Sequence, residues 1–459
     1  MGNTITIDPV TRLEGHLKAK VETDGHTVEK AYIAGNLFRD FENILKGRQP
    51  WDAVHITQRI CGVCPVSHAI TATRAAEQIA GFAPNDQALL IRAIIQGAYF
   101  ISDHILHFYH LNLPDYISPP QLTPLRPGYS VDMRFSPTQT TSLFNNYLEG
   151  LKIRRQAQEM VAILAGRIPH VMSIVPGGVT QSPSQAQIDQ LKGYLAVVRD
   201  FVLNKYLPDT YLLAEVYGDY FRVGKGNGNL LCFSAFDLPG NKSLFRQGLM
   251  TNFSRQQLSL SEIKEFVRFA YYSSRSGLNP KDGDTVPLFG KSGAYSWLKA
   301  PRYKDNAYET GPLARMTING YYKGSVSVMD RIMARALETK MLVEYLPLWI
   351  DRLTADAATY TDISLPPLGY GVGLTEAPRG ALGHWVQYYG GKISRYQIIT
   401  PTCWNASPRD DKGNPGPMEW ALIGTSIQSE EQPVELLRII HSYDPCVSCS
   451  VHVLEVPPP

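Results

Sequence analysis

From Asp86 to Phe108 the chain is apolar around most of a helical circumference, and its most apolar stretch, Ala88 to Ile101, is broken by Arg92 and Gln96. A pattern without a wet face predicts a helix enclosed by other elements, with Asp86 as its cap. Earlier, Leu17, Ala19 and Val21 alternate with Lys18, Lys20 and Glu22, and Asp24-Gly25 leads into a second run over Val28 to Ala34. Such alternation on both sides of a turn predicts a hairpin with one buried face. From Asp52 onward the period is helical. Phe144, Leu148, Leu151, Met160 and Leu164 repeat at helical spacing within 141–164, and Ile188, Leu191, Leu195, Val198 and Val202 do so after Ser182-Pro183, a cap followed by a first-turn proline. Another long helix is expected from Ser325 to about Tyr345. The glycine-rich, polar stretch 219–254 predicts irregular structure with short strands. Within it, Gly224-Lys-Gly-Asn-Gly228 lacks the strand-then-helix frame of a phosphate loop and reads as a surface turn. The expected class is α+β and predominantly helical, a central bundle of long buried helices with small peripheral sheets.

A chain of 459 residues is long enough to bury a large core, and length alone suggests two or three domains. With 44% apolar and 19% charged residues the composition is that of an ordinary globular protein. A net charge of +2 gives no reason to expect nucleic acid or an anionic membrane as partner. No uninterrupted apolar run reaches the roughly 18 residues of a membrane span. The opening Met-Gly-Asn-Thr-Ile-Thr-Ile-Asp lacks the layout of a secretory signal, so export would need another carrier.

The chemistry concentrates in cysteine. Four of the six cysteines form two C-x-x-C pairs, Cys61/Cys64 and Cys446/Cys449, near opposite ends of the chain. They are embedded in Arg59-Ile-Cys-Gly-Val-Cys-Pro-Val-Ser-His68 and Asp444-Pro-Cys-Val-Ser-Cys-Ser-Val-His452. Brought together, four thiolates form a soft metal site, which would make the body between them one interwoven unit rather than several domains. A structural zinc site or a redox dithiol would use the same spacing. Neither explains Arg59, His68, Asp444 and His452 around the sulfurs. Of the other two, Cys232 in Leu-Leu-Cys-Phe reads as a core residue.

These runs, with Asp8-Pro-Val-Thr-Arg-Leu-Glu-Gly-His16, Asp103 to Leu111, Glu376-Ala-Pro-Arg-Gly-Ala-Leu-Gly-His-Trp385 and Pro401-Thr-Cys-Trp-Asn405, closely resemble the large, catalytic subunit of [NiFe] hydrogenases, over essentially the whole chain. The resemblance implies reversible heterolytic cleavage of dihydrogen at a nickel-iron centre. Cys61 and Cys446 would bind nickel, and Cys64 and Cys449 would bridge it to an iron carrying carbon monoxide and cyanide. Glu14 corresponds to the proton-transfer glutamate and Arg379 to the arginine over the open coordination position, with Asp103 and Asp444 as its carboxylate partners. Thr402 would donate to a cyanide, Pro401 would line the diatomic pocket, and His68 would donate to a bridging thiolate. Cys403 departs from the small or hydroxylated residue expected beside Thr402.

A second ion, magnesium or iron, would be held by Glu42, a backbone carbonyl near Ile398, and His452. The implied partner is an iron-sulfur small subunit, because this chain has no spare cysteines for a cluster of its own. A membrane cytochrome b or another electron acceptor would lie beyond it. The motifs are most similar to the membrane-associated uptake branch, on the periplasmic face and carried by the small subunit's signal, with the cytoplasm as the alternative. The competing fold relative is a metal-free, quinone-binding respiratory subunit, which lacks the cysteine pairs. Residues 1–452 would form the catalytic domain, and 453–459 an extension removed by a maturation endopeptidase.

Overall fold

The structure, a computed structural model, describes residues 2–118, 129–252 and 254–449, the side chain of Cys449 excepted. Strands β1 (Asn3–Val10), β2 (Leu17–Thr23) and β3 (Val28–Gly35) form an antiparallel sheet in that order. Leu17, Ala19 and Val21 are buried and their alternate neighbours are not, so the expected hairpin is present. β1 adds a third strand that the sequence reading did not include.

The helices are α1 (Pro65–Ala80), α2 (Asp86–Ile105), α3 (Pro137–Ala165), α4 (Gln185–Phe201) and α5 (Val328–Ile350). α2 is the buried centre, packed on α3 and α5 and continued by wider turns over Leu106–Asn112. Together with that continuation it has the length and hydropathy of a bilayer span, yet 89% of its most apolar window is enclosed by protein. Its cap is Asn85, whose side chain accepts the Ala88 amide at 2.9 Å. Asp86 falls inside the first turn instead, where its charge faces the helix N-terminus. In α4 the cap is Ser184, closed reciprocally with Gln187, and Pro183 lies just outside the helix. α5 starts later than expected, at the Ser327 cap, and continues past Pro347.

The expected apolar stripe of α3 is correct only in its second half. Leu148 and Leu151 are exposed at 46% and 48%, whereas Leu143, Gly150, Ile153 and Ala157 face inward with Met160 and Leu164. The cause is close packing: a Cβ on Gly150 would lie 3.2 Å from the Tyr109 ring. Small residues define the buried face there, and a pattern of large apolar residues misses it.

The second principal sheet is β4 (Leu368–Ala377), β5 (Gly380–Tyr389) and β6 (Lys392–Ile399), antiparallel in that order. α1 lies against β4 at backbone distance. A Cβ on Gly371 would sit 2.2 Å from the Ala75 carbonyl oxygen, and one on Gly373 1.8 Å from that of Thr71. The short helices α6 (Pro401–Asn405) and α7 (Val434–Ser442) complete the frame of the site. Stretch 219–254 contains short strands, as expected, including Leu230–Cys232 paired with Gly248–Thr251. Gly224 turns with φ 64° against Val328 and Ile439, with no helix following the loop, so the turn reading of 224–228 holds.

Candidate metal centre

Cys61 follows the short turn Gln58–Ile60, and Cys64 directly precedes Pro65 at the start of α1. The amides of Val63 and Cys64 both donate to Cys61 Sγ at 3.2 Å. Cys64 caps the N-terminal end of α1, so amide N–H groups and the positive end of a helix lie beside the two sulfurs. Tyr99 of α2 pins the loop by donating its hydroxyl to the Val63 carbonyl. From the other end of the chain, α7 leads through Asp444, at φ 54°, to Cys446. The sulfurs of Cys61 and Cys446 are 3.1 Å apart, and those of Cys61, Cys64 and Cys446 all lie within 4.8 Å of one another, buried. The backbone of Cys449 ends the turn Val447–Cys449; its side chain and His452 lie outside the described residues.

Three contacts fix the Cys446 segment in place, two of them from the N-terminal end of the chain. The Glu14 backbone bridges to Cys446, its carbonyl accepting the Val447 amide at 2.7 Å. Gly15, at φ 90°, permits this approach, since a Cβ there would be 2.4 Å from the Ser448 nitrogen. Thr402 in α6 accepts the Cys446 amide at 3.0 Å, leaving its own hydroxyl proton to donate, with Pro401 beside it in the first turn of α6. Arg39, which sequence reasoning did not single out, donates to the carbonyls of Arg59, Ile60 and Ser448, tying both cysteine segments to one guanidinium. Burial first, then the Cys61 sulfur, pushes the Glu14 carboxyl up, against the hydrogen bond from Ser448 and the charge of Arg379.

Arg379 sits at the two-residue turn between β4 and β5, where Ala377 pairs with Gly380. Its Nη1 is 3.2 Å from Asp103 and its Nη2 3.0 Å from Asp444, all three buried. Its Nε has no partner among the described residues. Burial raises the Asp103 carboxyl to about 7 despite Arg379. Burial also opposes ionisation of Asp444, but Arg379, His107 and Arg335 outweigh it and hold that carboxyl low. The sequence-expected trio is thus assembled beside the thiols.

His68 lies one turn along α1 from Cys64. Burial lowers its imidazole to about 4, so it is neutral at pH 7. A separate cavity of about 40 Å³ is lined by Glu42, Glu265, Thr285, Lys299, Ile398 and Cys403. Glu42 accepts the Ile398 amide at 2.8 Å and meets Lys299 Nζ at 3.4 Å. Burial raises Glu265 to about 7 against the pull of Lys299. The sequence pointed to Glu42 and Ile398 but not to Glu265 or Lys299, which lie more than two hundred positions from Glu42 along the chain. Cys232 is fully buried in the core, as expected.

The donor set suits a soft metal, because three thiol sulfurs converge, with two amides on Cys61 Sγ and the buried Arg379 beside them. The family model of nickel-dependent hydrogenases matches residues 39–121, 116–327 and 320–452, and a HoxL-like model matches residues 4–34. The periplasmic [NiFeSe] hydrogenase large subunit of Desulfomicrobium baculatum is 38% identical over 98% of this chain and 95% of its own. The uptake hydrogenase large subunit of Rhodobacter capsulatus is 32% identical over 99% of this chain and 96% of its own. The structure of the Ni-Fe-Se hydrogenase from D. vulgaris Hildenborough in the reduced state superposes with a TM-score of 0.95 at 38% identity, covering 98% of this chain and 100% of that one. The chain belongs to the nickel-dependent hydrogenase family and is the catalytic large subunit of such an enzyme, an oxidoreductase acting on dihydrogen.

Proposed function

We propose that Cys61, Cys64, Cys446 and Cys449 hold a nickel-iron centre, Cys61 and Cys446 on nickel and Cys64 and Cys449 shared with an iron bearing carbon monoxide and cyanide. The observation that carries this reading is the convergence of three buried thiols from segments 385 residues apart. When bound, the centre supplies an electron-rich site for heterolysis of dihydrogen. The protein supplies the rest. Glu14, with its raised carboxyl beside the cysteines, takes the proton at its carboxylate and hands it outward. Arg379, fixed by Asp103 and Asp444, presents a guanidinium over the open side, with its free Nε–H available to a diatomic ligand. Thr402 would donate to a cyanide, Pro401 would line that pocket, and His68 would donate to a bridging sulfur.

At the second cavity, Glu42, the carbonyl of Ile398 and His452 are the proposed holders of a magnesium or iron ion. The oxygen donors suit a hard cation, and Lys299 shares the negative charge of Glu42 and Glu265. Electrons need a conductor to the surface, which fits an iron-sulfur small subunit as partner, with a cytochrome b or similar acceptor beyond it. The relatives named periplasmic and uptake enzymes support a place outside the cytoplasm, reached on the partner's signal. The [NiFeSe] relative is more similar than the uptake relative, 38% against 32%, although all four ligand positions here are cysteine.

Elemental analysis and infrared spectroscopy of the mature heterodimer test the assignment. About one nickel per chain with metal carbonyl and cyanide bands is expected, and Cys446→Ser should lose nickel and activity together. Zinc without those bands would sink it.

A further inference from the structure

Behind the cysteines the sheet carries a hydrogen-bonded chain that begins at His68. Its Nδ1 lies 3.1 Å from Nε2 of His384, and Nδ1 of His384 lies 2.8 Å from the hydroxyl of Tyr396. His384 sits on β5 and Tyr396 on β6, on one face of the sheet: His384 pairs with Ile398 and Tyr396 with Val386, which makes the two rings diagonal neighbours 5.4 Å apart. All three side chains are essentially inaccessible, and a neutral imidazole offers one N–H and one lone pair, so each contact needs one donor and one acceptor.

Only two proton arrangements satisfy both contacts. In the first, Tyr396 donates to His384 Nδ1, His384 Nε2–H donates to His68 Nδ1, and His68 is left with Nε2–H. In the second every bond is reversed, and His68 Nε2 carries a lone pair. The two ends of the chain decide between them. Among the described residues, the Tyr396 hydroxyl has its one hydrogen bond to His384, so the reversed order would strand a buried O–H. At the other end, His68 Nε2 is buried with no partner among the described residues, on a ring one turn from Cys64, so the first arrangement leaves an N–H there for the sulfur that the nickel-iron reading places beside it.

We propose that His384 and Tyr396 are positioning residues that lock His68 in its Nε2–H form, fixing a hydrogen-bond donor towards the cysteine sulfurs. This rests on the nickel-iron reading above and extends it two residues into the sheet. A thiolate that accepts a hydrogen bond gives less electron density to its metal, so the relay sets how electron-rich the iron is.

The experiment compares wild-type, Tyr396→Phe and His384→Gln heterodimers by nickel content and infrared spectroscopy. Tyr396→Phe removes one oxygen and adds no volume. The proposal expects full nickel in Tyr396→Phe with the carbonyl band moved to lower wavenumber, and a shift of the same sign in His384→Gln. An unmoved band in a fully loaded Tyr396→Phe enzyme would overturn it. If the variants fail to assemble, ¹⁵N-histidine spectra of the wild-type enzyme decide: Nε2–H forms for both His68 and His384 support the relay, and Nδ1–H forms refute it. Absence of carbonyl and cyanide bands from wild-type protein is a separate result, which would remove the nickel-iron reading itself.

Discussion

At the scale of single residues, Arg379 makes demands that only a guanidinium meets. Two of its nitrogens are committed to Asp103 and Asp444 in a buried setting, and the third has no partner among the described residues. An ammonium keeps the charge but cannot span both carboxylates and also reach forward. Arg379→Lys should therefore keep its nickel, by elemental analysis, and lose at least about tenfold in dihydrogen turnover. Unchanged turnover would show that the third nitrogen has no task. Glu14 is bound to the site through its backbone, so its side chain can be altered without releasing Cys446. Glu14→Gln should leave the centre assembled while hydrogen-deuterium exchange falls by roughly a hundredfold or more, since an amide keeps the shape but carries no proton. Exchange at the wild-type rate would mean that protons leave by another path. The cysteines were legible from spacing alone, whereas Arg379, Glu14, Glu42 and Thr402 were legible only through resemblance. Arg39, Lys299 and Tyr396 were not legible, because their partners lie in other segments and no local pattern marks them, and His384, although inside the run Glu376 to Trp385, was given no role there.

At the scale of elements, helices with strong periodicity and sharp caps were the most readable, and the error in α3 shows where reading fails. Its inner face is set by Gly150 and Ala157, which carry no hydrophobic signal, while Leu148 and Leu151 advertise a face that is wet. β4 escaped notice for a related reason. Its glycines at 369, 371 and 373 look like breakers, yet they are what lets α1 lie on the strand. Gly373→Ala must push α1 away from the sheet, because the added carbon meets backbone rather than a side chain that could swing aside. We expect a loss of at least about 2 kcal/mol in urea unfolding together with reduced nickel retention, as α1 begins at Cys64 and carries His68. Wild-type stability in that variant would show that helix and strand separate at little cost.

At the scale of the whole molecule, buried acids tie stability to pH. Glu419 is enclosed, accepts the Ile33 amide at 3.0 Å and the Tyr295 hydroxyl at 2.7 Å, and burial raises its carboxyl to about 7. Between its ordinary value of about 4.5 and that raised value, the folded state holds a proton that the unfolded state has lost. Stability from this group is therefore full below that window and falls as pH rises through it, by at most about 1.4 kcal/mol per unit. The difference in urea midpoint between wild type and Glu419→Gln should trace that slope, and a flat difference would contradict it. The expected removal of residues 453–459 on maturation has a direct test. Active enzyme should then end at His452 by intact mass, and a nickel-loaded, active chain still bearing Pro459 would refute this. The meeting of the chain's two ends also has a consequence for biosynthesis. Cys446 leaves the ribosome 385 residues after Cys61, an interval of roughly 20 to 80 s at ordinary elongation rates. Throughout that interval the nascent chain exposes a reactive dithiol with no means of enclosing it, so protection of Cys61 and Cys64 during translation has to come from outside the polypeptide.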